Sequence, residues 1–491
     1  MKKKIVIIGG GVAGLSAGIY GLQHDFSVEI YEKHSICGGE CTAWKRKEYL
    51  IDNCVHWLTG TRKGTKLYDI WENLSVLSKD VNVLHADAFY TTELNGDSIT
   101  LWRDLERTKK EMLLLSPEDE KEIKKLIHYI KLAETMEMPV DKPFDQMNVL
   151  EYIKLGMSMA DMGKVMKEYG KITVEELAKR FKHPLLQLMI TAYMAKEYLA
   201  YSFIVSYATF TSGNGGVPEG GSLDMIQRMK QRFENLGGIV FTNRDVSKIV
   251  IEKKHATGIT LVDGRFIGAD YVIPACDTDY TFHQLLNESY MDKKLQKTYQ
   301  ERKENPLMSG FQIAFSVDDE ARELKDTIVF DCEPMQIATQ TVNRMSIKNY
   351  RNYGKNIAPE GKTVLQSNFV QYEADFEYWK QLYNKKVYNQ EKERLAKEAQ
   401  KRLEARFPNY MGKIHVIDVW TPATYHKYCN AYHGAYMSFI TTKRSKYTSF
   451  SGNIKGLDNV FLASQWLMSP GGLPTAAVMG KFAIQRILKK S

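Results

Sequence analysis

Cysteine is scarce in this chain of 491 residues: there are six, Cys37, Cys41, Cys54, Cys276, Cys332 and Cys429. None forms a C-x-x-C pair and none recurs at zinc-ligand spacing, which argues against a structural metal and a thioredoxin-type redox couple. Cys37 and Cys41 are close enough to raise the alternative of a redox disulfide. Both lie in a glycine-bearing loop, however, and not on the first turn of a helix, where a thiolate is favoured. Long apolar runs are also missing: beyond residues 5–23 no uninterrupted stretch reaches membrane-spanning length. That first run follows Lys2, Lys3 and Lys4 in the manner of a secretory leader. Four glycines in its first half weaken an apolar h-region and no A-x-A-type cleavage site follows, so the expectation is a cytoplasmic protein with reduced thiols. Internal repeats, low-complexity tracts and DNA- or RNA-binding motifs are absent. The net charge of +8 comes mostly from dispersed lysines, which suits weak attraction to anionic lipid and does not point to nucleic acid.

What is present is concentrated at residues 5–14, IVIIGGGVAG. The β-branched run Ile5–Ile8 stops at a glycine turn, and a small-residue segment with helical character follows. Strand, glycine turn and helix in that order bind a dinucleotide pyrophosphate. Gly9 permits the tight turn, Gly11 lets backbone approach phosphate, and Gly14 lets helix and strand pack closely. Free N–H groups at the helix start then face the anion. A second strand, Ser27–Tyr31, ends at Glu32, an acidic residue placed to accept from a ribose 2′-OH. A 2′-phosphate would be repelled, so the cofactor is expected to be FAD or NAD.

Further along, Gly38 and Gly39 mark a second close approach of backbone. Residues 100–200 read mainly as helices, with a core helix across Arg180–Val205. A glycine-rich loop at 213–222 precedes a helix over Leu223–Leu236. Strand-like runs follow at Ile239–Thr242, Val246–Glu252, Gly258–Leu261 and Ala269–Ala275, with a hairpin-type turn at Asp263-Gly264. Residues 280–450 show no dominant period, and Lys385–Phe407 reads as a charged, solvated helix. Near the end, strand Val460–Ala463 leads through Ser464–Pro474 into a helix beginning near Thr475. The Gly471-Gly472 loop feeding that helix offers donors and positive dipole to a second electron-rich group, such as the edge of an isoalloxazine.

The ordered set GGGVAG, Glu32, Cys37-Gly38-Gly39, Tyr49-Leu50-Ile51-Asp52, Val217–Ser222 and Pro470–Pro474 resembles the phytoene desaturase, carotenoid isomerase and retinol saturase group of FAD-dependent oxidoreductases, relatives of the amine oxidases. The resemblance implies an α/β fold: a discontinuous Rossmann-type FAD-binding domain (1–75, 215–280 and 450–491) and an α+β substrate domain (76–214 and 281–449) with a lipophilic tunnel. It implies that Gly9, Gly11 and Gly14 hold the pyrophosphate, Glu32 the adenosine ribose, and Val246 the adenine through its backbone. Gly38 and Gly39 would approach the cofactor, with Arg46 in the same binding set, while Gly471, Gly472, Leu473 and Pro474 would lie along the flavin. Three positions depart from the usual pattern: Glu40 stands where arginine or serine is common, and Cys54 and Ser464 where glycine is common.

The implied activity is flavin redox chemistry on a hydrophobic polyene, isoprenoid or fatty-acyl substrate: desaturation, saturation or double-bond isomerisation. No second glycine fingerprint for a nicotinamide cofactor is found, so electrons are expected to leave to oxygen, quinone or a separate carrier. Acid–base candidates are His56, Glu40 and Tyr425, then His426 and His433; Trp466 is a candidate neighbour of the flavin ring. The rival readings are an amine-oxidase-like enzyme on a small polar substrate and a non-catalytic FAD-binding protein. A lipophilic substrate also implies peripheral membrane contact.

Overall fold

The computed structural model describes residues 2–354 and 356–490. Ile5, Val6, Ile7 and Ile8 are all buried, as a strand covered on both faces requires. Their strand, Lys4–Ile8, is central in a parallel sheet ordered Ile239–Phe241, Ser27–Tyr31, Lys4–Ile8, Tyr271–Pro274. The segment Val460–Ala463 extends it: Phe461 N donates to Val272 O (3.1 Å) and Ala463 N to Pro274 O (3.1 Å). One sheet thus gathers residues from both ends and the middle of the chain. Beside it lies an antiparallel meander of Val246–Glu252, His255–Leu261 and Phe266–Gly268.

The helix Val12–Gln23 leaves the glycine turn and packs on the last helix, Leu473–Lys490. A Cβ at Gly480 would stand 2.5 Å from Ala13 O and 2.7 Å from Ala17 N, so these helices touch backbone to backbone. Ser16 Oγ crosses the seam to Ala477 O at 2.6 Å. The last helix begins two residues earlier than the sequence suggested, at Leu473.

A second, seven-stranded sheet is ordered Ile414–Trp420, Ser309–Val317, Thr363–Gln371, Gln340–Asn349, Thr327–Ile337, Ala88–Leu94, Asp97–Trp102. It is antiparallel except where Thr327–Ile337 meets Ala88–Leu94. Helix Tyr388–Arg406 lies against it through Leu395, Ala396, Ala399 and Leu403, all buried. The charged segment is therefore half-buried and amphipathic, a correction to the solvated helix expected there.

The third layer is helical, with its own core between Leu105 and Phe210. The single helix expected over Arg180–Val205 is two helices, Pro184–Thr191 and Tyr201–Thr211. The bends and turn between them pair with residues 172–174 at a single antiparallel bridge, Thr173 with Leu199: Val174 N donates to Tyr198 O (2.8 Å) and Ala200 N to Ile172 O (2.9 Å). Those tertiary bonds compete successfully with helix propagation. Among the described residues no helix is long and apolar enough to cross a membrane, and no group of three His, Cys, Asp or Glu side chains is placed to hold a metal ion.

Candidate functional site

A cavity of about 550 Å³ runs from the glycine turn to the large sheet. Gly9 sits at φ +102°, a conformation that glycine adopts freely. Gly10 N donates to Glu32 Oε2 (2.8 Å), and His34 N to Glu32 Oε1 (2.9 Å). These two bonds fix the buried carboxylate, and its remaining lone pairs are free to accept from a ligand hydroxyl. Gly38 N donates to Gly10 O (3.0 Å), which draws the second glycine turn against the first. Gly11, Gly39 and Val246 complete this end of the cavity.

Several of these glycines face the cavity for reasons other than protein packing. A Cβ at Gly11 would meet nothing closer than 3.7 Å, and one at Gly472 nothing closer than 3.8 Å. The space beside them is what a dinucleotide would fill, so the cradle fits FAD. Gly14 differs. It does not line the cavity, and its Cβ would stand 2.0 Å from Gly9 O. Its role is to let the helix pass under the turn, not to touch phosphate. Arg46 is also corrected: it lies at the exposed end of the strand Ala43–Arg46 and pairs with Asp418 at 2.8 Å, outside the cavity lining.

At the other end the loop Gly471–Pro474 forms one wall. Gln465 Oε1 accepts from Gly472 N (2.7 Å), and its Nε2 donates to Glu40 Oε2 (3.2 Å). One amide therefore ties the loop to the candidate acid. Burial, reinforced by the charge of Asp277, pushes the Glu40 carboxyl up to about 8. It keeps its proton at neutral pH and can donate it. Asp277, also in the lining, is pushed up to about 7 by burial. Backbone N–H groups of Tyr432 (2.8 Å) and Asp279 (2.7 Å) oppose that shift.

His56 lines the cavity, and burial, then the charge of Lys348, lowers its imidazole to about 3. It is neutral. Its Nδ1 lies 3.0 Å from Tyr350 Oη, whose single proton goes to Gln366 Oε1 (2.9 Å). Nδ1 must then be the protonated nitrogen, which leaves Nε2 as an acceptor. The His56 carbonyl accepts from Lys348 Nζ (2.9 Å) and Tyr353 Oη (2.6 Å), fixing the backbone.

Tyr425 also faces the cavity, but its hydroxyl is fully committed. It donates to Asn53 Oδ1 (2.8 Å) and accepts from Gln312 Nε2 (2.6 Å) and Trp420 Nε1 (3.1 Å). Asn53 in turn donates to the Glu40 carbonyl (3.0 Å). The hydroxyl's one proton and its lone pairs are thus all engaged by protein groups, an arrangement suited to positioning. His426 and His433 lie outside the lining; His426 Nδ1 bonds Ala431 O (3.1 Å) and His433 pairs with Glu373 (2.6 Å). Trp466 does line the cavity and stacks on Tyr299. All six cysteines are free thiols, so Cys37 and Cys41 form no disulfide; Cys41 instead neighbours Cys54 in the cavity wall.

The sequence reading missed Asp277, Gln465, Asn368 and the Lys348–Tyr350 support. Gln465 stands inside the loop already singled out, and its amide was the available signal. The others lie on or beside elements that only the tertiary fold brings to the cavity.

A parallel nucleotide sheet, two apposed glycine turns and an acid-terminated second strand define a dinucleotide-dependent redox protein. The model of the family described as flavin containing amine oxidoreductase matches residues 12–488, and the chain belongs to that family. It is an FAD-dependent oxidoreductase. It is similar to the 4,4'-diaponeurosporene oxygenase of Staphylococcus haemolyticus, at 24% identity over 99% of this chain and 97% of that protein. The enzyme of the same name from Staphylococcus aureus strain MW2 is 21% identical over 99% and 98%. Among solved structures, an oxidoreductase from Methanosarcina mazei superposes with TM-score 0.60 at 18% identity, covering 98% of this chain and 99% of that one. Putrescine oxidase bound to putrescine gives TM-score 0.62 at 13% identity, covering 100% and 99%. These structural likenesses concern the fold alone.

Proposed function

We propose that this enzyme oxidises or rearranges a neutral, lipophilic polyene or isoprenoid substrate. The observation that carries the reading is that most of the wall at the flavin end of the cavity is uncharged. It includes Asn53, Cys54, Trp57, Gln312, Asn368, Tyr436 and Met437, a neutral His56 and a protonated Glu40, with Asp277, which titrates at about 7, as the partly ionised neighbour of Glu40. An ammonium substrate would find no fully ionised carboxylate there at neutral pH; an apolar chain would find aromatic and thioether surface. The carotenoid-type name of the relatives points the same way.

In this reading Glu32 holds the adenosine ribose, the two glycine turns hold the diphosphate, Val246 meets the adenine, and Gly471–Pro474 runs along the ring system. Bound there, FAD supplies two-electron hydride acceptance or donation. Gln465 keeps the Gly472 amide and Glu40 in fixed relation. Glu40 holds a proton beside the reacting region, and His56 Nε2 offers an acceptor for one. The cofactor-binding part comprises 1–75, 215–280 and 450–491, and the substrate part the remainder. Electrons leave to oxygen, quinone or a separate carrier.

The test is anaerobic reduction of the flavin in purified holoenzyme by detergent-dispersed C30 and C40 polyenes and by putrescine, joined to mass spectrometry of lipids from cells with and without the protein. Bleaching by a polyene and a matching change in cellular polyenes are expected. Bleaching by putrescine alone would overturn the reading in favour of a small polar amine.

A further inference from the structure

Helix Val149–Ser158 has no buried residue. It holds its shape through its own cap: Glu151 N donates to Asn148 Oδ1 (2.9 Å) and Asn148 N to Glu151 Oε2 (2.7 Å). Yet it is rich in apolar side chains, and they are turned outward. Val149 is 74% exposed, Leu150 76%, Ile153 54% and Met157 68%. Their spacing, with 149, 153 and 157 in line and 150 beside them, puts all four on one stripe of the helix. Scattered exposed apolar residues need no explanation, but a contiguous stripe on a helix that buries no residue does.

The charges around it are one-sided. Most nearby carboxylates are paired, Asp145 with Arg486 (2.9 Å), Glu151 with Lys142 (3.0 Å), Asp161 with Lys164 (2.8 Å) and Glu168 with Arg180 (2.8 Å), while Glu122 lies near Tyr169. Lys154, Lys167, Lys171 and Lys489 have no such ion pair among the described residues. The residual charge of the region is therefore positive. The stripe itself presents on the order of 500 Å², short of the ~800 Å² per partner that a stable dimer buries.

We propose that this helix is a docking surface for an anionic lipid bilayer, lying in the membrane plane with the stripe of Val149, Leu150, Ile153 and Met157 in the acyl boundary and the lysines at headgroup level. An interfacial helix binds through apolar area plus attraction of cations to anionic lipid, and both components are present here. The surface would hold the enzyme where lipophilic substrates reside, although the geometry supporting it is separate from that of the cavity.

The experiment is flotation of full-length, FAD-loaded protein with phosphatidylcholine vesicles, with and without phosphatidylglycerol. Wild type should float with the anionic vesicles and lose binding as salt rises. The double substitution Ile153→Asp, Met157→Asp should lower the bound fraction at least about tenfold. Because neither side chain is buried, flavin content and melting temperature should stay unchanged. Lys154→Glu with Lys167→Glu should lower binding only to the anionic vesicles. Equal flotation of wild type and the Asp double variant, or no flotation of wild type, overturns the proposal. So does a wild-type dimer in the absence of vesicles that the Asp variant dissolves, since the face would then join two copies. Turnover of a detergent-dispersed polyene by both proteins separates this outcome from the substrate reading: loss of flotation with turnover retained leaves the cavity assignment standing.

Discussion

Replacing Glu40 by glutamine removes an ionisable group while keeping an oxygen that can accept from Gln465. In the folded protein the Glu40 carboxyl titrates at about 8, against an ordinary value of 4.5. Between those values the folded state keeps a proton that the unfolded chain has lost. Stability from this group is thus fully present below pH 4.5 and is lost as pH rises through 8. The limiting slope is about 1.4 kcal/mol per pH unit, so wild type should lose roughly 2–3 kcal/mol relative to Glu40→Gln between about pH 6 and pH 8. For a chain of this size the entropy of unfolding is about 1 kcal/mol/K, which makes the differential about 2–3 °C in melting temperature. Asp277, whose charge reinforces the Glu40 shift, remains in both proteins, so the difference reads Glu40 together with its coupling to Asp277. Thermal unfolding of FAD-loaded wild type and variant, followed by tryptophan fluorescence across that range, reads it out. Parallel curves for the two proteins would refute a protonated Glu40, and with it the proton donor assigned to this site.

Three further outcomes follow from the geometry. Gly14→Ala should purify without flavin, because its Cβ would lie 2.0 Å from Gly9 O and force the turn apart; the ratio of flavin to protein absorbance measures it. Glu32→Ala strands the Gly10 and His34 amides and removes the ribose acceptor, so FAD affinity should fall by about tenfold or more in a titration of apoprotein. Tyr425→Phe leaves Asn53, Gln312 and Trp420 each short of a partner and should cost about 2–4 kcal/mol in urea unfolding. If Tyr425 acts by positioning, the variant should also reduce its flavin with an unaltered pH profile in stopped flow; a lost pH limb would restore it as an acid.

The first strand, its glycine turn and Glu32 were legible because their signal is local: β-branched residues, glycines and an acid within about thirty positions meet in one βαβ unit. The loop at Gly471–Pro474 was legible for the same reason. The large sheet was not. Ser309–Val317 is buried along its whole length, so it carries no alternation to betray a strand. The Arg180–Val205 region misled in the opposite sense. Its apolar side chains read as one continuous helix, while the break is imposed by backbone pairing with residues 172–174. The far wall of the cavity was illegible because Gln312 and Asn368 in it, and Lys348 and Tyr350 behind His56, converge only through the order of strands in the large sheet. Arg46 shows the reverse error, since nearness in sequence to Gly38 and Gly39 did not place it at the cavity.

The seam between Val12–Gln23 and Leu473–Lys490 has a consequence for how the protein is made. The central strand of the nucleotide sheet, Lys4–Ile8, emerges from the ribosome some 450 positions before Val460–Ala463 and the closing helix. At ~5–20 residues per second that interval is on the order of 20–90 s. Throughout it, the surface of the first helix that Gly480 will meet stays open, and the sheet edge at Tyr271–Pro274 lacks its neighbour once made. The cavity wall at Gly471–Pro474 is therefore complete only once residues 460–490 have emerged, and until then the first helix keeps an uncovered face.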